Sequence, residues 1–264
     1  MIACLTLVAL VAASLPSAAP VAAAWAGRYS VWNAGSFVTQ YRDWSCVGAS
    51  IQIALNIIND TSNRGVRRQL KLLAYARDNS KSPQPEGGAD PQGWAKALVH
   101  FGAGDDWGWV NSSSLQGALK VAAKQMRASG KPIGLLTFHG GHAWLMTGFE
   151  STADPATTNS FEVTAAEVLG PLYPDGTYNG KSADPGPKTW MTVTQLGKRF
   201  NYYSQSGHAV WNGKWVMVVP RVSQVTPLIA SEEPPAEQIT PDLETAFGWS
   251  WMLGALSLRD LIGR

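Results

Sequence analysis

The apolar positions of this chain follow a helical period first and a strand period afterwards. Ile51, Ala54, Leu55 and Ile58 recur at i, i+3, i+4 and i+7, one stripe of a helix that starts near residues 43–46. Asp43 or Ser45 stands where a side chain can cap its free N–H groups. Val66, Leu70, Leu73 and Ala74 repeat the period and predict a second helix over 66–76, with Arg67, Arg68 and Lys71 as its solvated face. Asp90-Pro91 supplies an N-cap and a first-turn proline for a short helix through Leu98, with Trp94 and Leu98 inward. Ser112 or Ser113 can cap a fourth helix through Leu115, Leu119, Ala122 and Met126, ending at Gly130.

The period then changes to two. Residues 132–138 (Pro-Ile-Gly-Leu-Leu-Thr-Phe) predict a buried strand, and Gly140-Gly141 turns it into a second one over 142–149. Alternation puts His142, Trp144, Met146 and Gly148 on one face of that strand. Phe161, Val163 and Ala165 predict a further strand over 160–169; 194–200 reads as a short helix and 213–220 as a closing strand. Loops are expected at 59–63, 80–88, 104–109 and 175–188. His208 is expected on a surface loop, and His100 at the C-terminal end of its helix, where the dipole favours a cation. No internal repeats are visible.

A chain of 264 residues can bury a sizeable core. With net charge +2, 15% charged residues and no basic run longer than Arg67-Arg68, nucleic acid is excluded as a partner class. Twelve Trp predict a Trp-rich core, with a binding groove as the alternative.

The termini differ from the middle. Residues 2–15 are apolar, Pro16 and Pro20 interrupt, and Ala22-Ala23-Ala24 offers a cleavage site near Ala24 or Ala26. Residues 1–26 therefore read as a signal peptide rather than an uncleaved anchor, and the product as secreted or cell-envelope associated. A domain is expected over 28–220, a Pro- and Glu-bearing linker over 221–241, and an amphipathic C-terminal helix over 242–264. That helix, with Phe247, Trp251 and Leu258, can dock on the domain, lie on a membrane surface or contact a partner. The sequence gives no oligomeric state.

Cysteine usage now matters. Cys4 falls in the signal segment, so Cys46 is the only thiol of the mature chain and has no internal disulfide partner. The bland interpretation is a small buried hydrophobe in a helix. The alternative is a thiol in use, because the first turn of a helix favours negative charge.

The residues around it carry a resemblance. Gln40 lies six positions before Cys46, and Cys46 opens a long apolar helix. Cys-Val-Gly-Ala-Ser-Ile-Gln from Cys46 and Gly-Gly-His-Ala-Trp-Leu-Met-Thr-Gly-Phe from Gly140 resemble the papain-like cysteine peptidase superfamily, in its bacterial C39-like branch. The likeness runs from about residue 36 to 220. It implies an α+β papain-like fold: an N-terminal helical part whose Cys helix packs on an antiparallel β-sheet carrying the His. It implies Cys46 as nucleophile, His142 as base and Gln40 in the oxyanion hole. The family often carries Asp-Pro after the next strand to orient the His, and this chain has Gly170-Pro171 there. Asp175, Glu167 or Asn159 could substitute.

Three functions follow from these readings. The first is an exported thiol hydrolase, a cysteine peptidase acting on a peptide or protein substrate. The second is a binding module that keeps the fold without the chemistry. The third is a cell-wall peptide amidase or transpeptidase. No cofactor and no metal are expected: His139, His142 and Cys46 lack a fourth ligand, and Asp105-Asp106 reads as a solvated turn.

Overall fold

The computed structural model describes residues 25–82, 87–174, 184–205 and 208–222. The expected signal segment through residue 24, the linker from 223 and the helix over 242–264 lie outside the described residues.

Helix α1 (Cys46–Ile58) is the spine of the molecule. The sequence shows one apolar stripe, yet every residue of α1 from Cys46 to Ile57 is buried. Helix α2 (Val66–Asp78) covers one side of it and helix α3 (Pro91–His100) packs against both. Its buried polar residues are satisfied locally: Gln52 Nε2 donates to Asn63 O (3.0 Å), and Asn56 Nδ2 to Ser36 O (3.1 Å).

The strands form one antiparallel sheet in the order β2 (Trp107–Ser112), β7 (Trp215–Pro220), β3 (Ile133–Thr137), β4 (His142–Ser151), β5 (Val163–Leu169), β6 (Thr189–Thr192). β1 (Arg28–Ser30) pairs with β4 beyond the end of β3, Ser30 opposite Gly148. Helices cover both faces. Ala143, Leu145, Val216 and Val218 point to α1, α2 and α3, where Trp94 and Leu98 complete one core. Leu135, Trp144, Met146, Met217 and Val219 point the other way, to α4 (Leu115–Ser129) and α5 (Val193–Gly197). Strand alternation thus feeds two apolar layers from one sheet.

Helix ends follow local chemistry, with some shifts from expectation. Asp90 caps α3 through Gly93 N (2.8 Å). Ser114, rather than Ser112 or Ser113, caps α4 through Gly117 N (3.1 Å), and Gly130 ends α4 in the left-handed region. Ser45 stands at the N-cap of α1 but gives α1 no side-chain cap; its hydroxyl donates to Arg42 O (2.8 Å). Residues 107–109, expected in a turn, begin the edge strand β2. His208 is not on the surface: it is 6% exposed and stacks on Trp211 at 4.9 Å, with Tyr203 edge-on.

Candidate active site

The N-terminus of α1 and the head of the interior strand β4 meet at one end of the sheet. Cys46 is the first residue of α1. The first i→i−4 bond at this end is made by Ala49 N to Ser45 O (3.0 Å), so the N–H groups of Cys46, Val47 and Gly48 precede the helical ladder. Contact between α1 and β4 is direct, and Ser50 Oγ donates to Ala143 O (3.3 Å).

His142 is the first residue of β4, paired with Thr137. The chain reaches it through a tight turn in which Phe138 (φ 50), His139 (φ 60) and Gly140 (φ 87) are all left-handed. Two consecutive non-glycine residues in that region are strained and need outside support. Residues 199–205 give it. Phe138 N donates to Arg199 O (2.7 Å), His139 N to Asn201 Oδ1 (2.7 Å), and Ser204 N to His139 O (3.1 Å). A Cβ on Gly140 would collide with the Tyr203 ring. The His139 ring bonds Tyr202 O (3.0 Å) and Asn201 Nδ2 (3.2 Å), away from the Cys46–His142 pair.

Cys46 and His142 are brought together from 96 positions apart (142 − 46). The thiol is a hydrogen-bonding and charge partner of the imidazole, and both residues are buried, 8% and 2% exposed. On its other side the ring bonds a carboxylate: Nε2 lies 2.8 Å from Oδ2 of Asp184. The sequence offers Asp175, Glu167 and Asn159 for this role. Asp175 lies outside the described residues, and neither Glu167 nor Asn159 bonds the imidazole.

Asp184 is itself held on three sides. Oδ2 also accepts from Leu172 N (2.8 Å), and Oδ1 accepts from Trp144 Nε1 (2.9 Å). Gly170 N bonds Pro185 O (2.9 Å), which pins the main chain beside it. A Cβ on Gly170 would clash with Cβ, Cγ and Oδ2 of Asp184. Asp184 is followed by Pro185, so an Asp-Pro pair stands behind the ring, although the sequence has Gly170-Pro171 where the resemblance leads one to expect it. It arrives 14 residues late (184 − 170), and a glycine at the expected position makes room for it.

Electrostatics follow from this contact set. Burial pulls the His142 imidazolium toward deprotonation; the Asp184 hydrogen bond, the Cys46 hydrogen bond and the charges of both outweigh it. The net effect raises the pKa of His142 from 6.5 to about 9. As imidazolium its Nε2–H donates to Asp184.

Gln40 lies where expected, buried just before α1, but its amide is engaged. Nε2 donates to Arg42 O (2.8 Å) and Asp43 O (3.0 Å), closing the turn that leads to Cys46. Gln40 N donates to Pro171 O (2.7 Å), so this turn and the Asp184 segment share a support. Gln69 of α2 braces the same turn: its Oε1 accepts from Tyr41 N (2.7 Å) and lies 3.2 Å from Ser45 Oγ.

The chain forms an α+β fold in which a Cys-bearing helix packs against an antiparallel sheet whose strand carries the His, the arrangement expected from the sequence. Among solved structures, the chain is similar to a double glycine motif protease from an AMS/PCAT transporter, determined in complex with the leader peptide. That match has 11% identity over 70% of this chain and 91% of the other, with a TM-score of 0.36. It is also similar to UfSP from C. elegans, at 15% identity over 70% of this chain and 32% of the other, with a TM-score of 0.40. At these scores both likenesses are too distant to carry a functional conclusion. No protein-family model matches the chain, and no curated protein matches it.

Proposed function

We propose that this protein is a cysteine peptidase in which Cys46, His142 and Asp184 act as nucleophile, acid–base and orienting carboxylate. The observation that carries the proposal is the carboxylate behind the ring. A binding module that had shed its chemistry would have no need of Asp184 bonded to His142 at 2.8 Å, opposite the side that meets Cys46.

The steps follow the usual order for such a pair. His142 takes the Cys46 proton, and the sulfur attacks the carbonyl carbon of the scissile amide. The tetrahedral oxyanion forms beside the N-terminus of α1, where the Cys46 N–H and the helix dipole favour negative charge. The imidazolium returns its proton to the leaving amine as the C–N bond breaks. Water, deprotonated by His142, then hydrolyses the thioester and regenerates the thiol. Asp184 holds the imidazole in the tautomer and orientation these transfers need. Gln40 is the second oxyanion donor only if it releases a hydrogen bond to Arg42 or Asp43. A peptide or protein is the proposed substrate, and the apolar 2–15 stretch supports export of the chain.

The test is alkylation with iodoacetamide near neutral pH beside cleavage of an unstructured polypeptide. Cys46 is expected to react faster than free cysteine, and Cys46→Ala to abolish cleavage. Ordinary thiol reactivity together with unchanged cleavage in the variant would sink the proposal.

A further inference from the structure

We infer that Trp144 is a positioning residue for the Cys46–His142–Asp184 site, acting through Asp184. The inference rests on the peptidase proposal above and extends it to a residue that packing alone does not explain.

Trp144 lies two positions after His142 on β4, so the two side chains rise from the same face of one strand. Both reach the same carboxylate. His142 Nε2 takes Oδ2 at 2.8 Å, and Trp144 Nε1–H donates to Oδ1 at 2.9 Å. Two donors on a single rigid strand therefore fix both oxygens, and with them the plane of the carboxylate. Leu172 N–H adds a third bond from another segment.

Such a grip is needed because of where Asp184 comes from. It enters from outside the sheet, next to Pro185, with no strand of its own to orient it. The indole is 1% exposed and lies edge-on to Phe138 at 5.8 Å. Phe138 is in the left-handed turn that delivers His142. Trp144 thus touches the turn and the carboxylate, while His142 stands between them in sequence. A buried Trp usually finds a partner for its N–H. Here that partner is the group that orients the acid–base.

Loss of the indole N–H has two opposed effects on the imidazolium. It frees the carboxylate to rotate, which weakens the His142 bond. It also removes a competing donor from Oδ1, which leaves more charge on the carboxylate whose Oδ2 faces His142. Positioning predicts that the first effect wins.

The experiment follows the pH dependence of Cys46 alkylation in the full chain, in wild type, Asp184→Asn and Trp144→Phe. The limb that reports His142 deprotonation is read. A second variant carries 3-benzothienylalanine at 144, which keeps the ring shape and lacks the N–H. The expected result is a downward shift of that limb in Asp184→Asn and a smaller downward shift in both Trp144 variants. Circular dichroism should be unchanged, and cleavage turnover should fall roughly tenfold with KM little altered. A shift in Asp184→Asn with none in the benzothienyl variant would make the indole mere packing. An upward shift would make it a drain on carboxylate charge, and would equally overturn positioning. No shift in any variant, Asp184→Asn included, would remove this inference and the role of Asp184 together.

Discussion

The carboxylate of Asp184 fills the volume that a side chain on Gly170 would require. One residue's absence of a side chain is what lets the other reach His142. Gly170→Ala is therefore expected to cost activity with no charge changed. Its methyl group would push Asp184 off His142, with a fall of about 10- to 100-fold in kcat/KM for a displaced orienting group. The double variant Gly170→Asp, Asp184→Gly should recover part of what Asp184→Gly loses, since the carboxylate then starts from the other side of the same space. Kinetics of the four proteins decide it; no recovery would show that main-chain anchoring at Pro185 is also required.

Asp184→Asn keeps the shape and removes the charge. It is expected to lower kcat by about 10²- to 10⁴-fold, as when a triad carboxylate elsewhere is replaced by its amide. Folding should change only modestly: the amide keeps one oxygen, so either Trp144 Nε1–H or Leu172 N–H loses its acceptor. Single-turnover measurements separate this loss from a change in substrate binding.

The pH dependence has a definite sign. His142 is raised from 6.5 to about 9 in the folded protein, with burial opposing and Asp184 and Cys46 prevailing. Between those values the folded state holds a proton that the unfolded state has released. Stability from this source is full below about pH 6.5, declines as pH rises, and is gone above about 9. Thermal midpoints should fall from pH 7 to 9.5 in wild type and fall less in Asp184→Asn. Turnover should drop over the upper part of the same window, as the imidazolium needed by the leaving amine disappears. A wild-type midpoint that stays flat across this range would contradict the assignment.

Gly48 couples the core to the site. It lies on α1 two residues after Cys46, and a Cβ there would stand 2.7 Å from Gln69 O and 2.9 Å from Leu73 Cβ. Gly48→Ala is expected to destabilise by about 1–3 kcal/mol, the usual range for overpacking. Urea denaturation measures it. Because Gln69 also braces Tyr41 and Ser45, Cys46 alkylation should slow in the variant even where it remains folded.

What was legible in the sequence divides along physical lines. The α1 stripe, the α4 pattern with Gly130, and the strands on either side of Gly140-Gly141 were visible because each carries its own period or turn chemistry. The meeting of Cys46 and His142 was legible from spacing and resemblance. Asp184 was not, because residue order says nothing about which loop end folds back over the sheet. The available clues were an Asp-Pro pair at 184–185 and a glycine at 170. β2 was missed because Trp107-Gly108-Trp109 lies at a sheet edge, where alternation is weak. His208 was misjudged because its burial comes from the rings of Trp211 and Tyr203, contacts that periodicity does not encode.

Gln40 offers the sharpest separation of two roles. Its amide closes the turn onto Arg42 and Asp43, which is structural work; donation to an oxyanion would be chemical work. Gln40→Ala removes both, and Gln40→Glu removes the donor while keeping the length. If Gln40 serves only the turn, cleavage and Cys46 alkylation should decline together, because both need α1 correctly presented. If it also serves the oxyanion, cleavage should fall by about 10²-fold or more beyond the loss in alkylation, which forms no tetrahedral oxyanion. Alkylation is thus the internal reference, and the ratio of the two losses measures what the amide contributes to the oxyanion beyond its work in the turn.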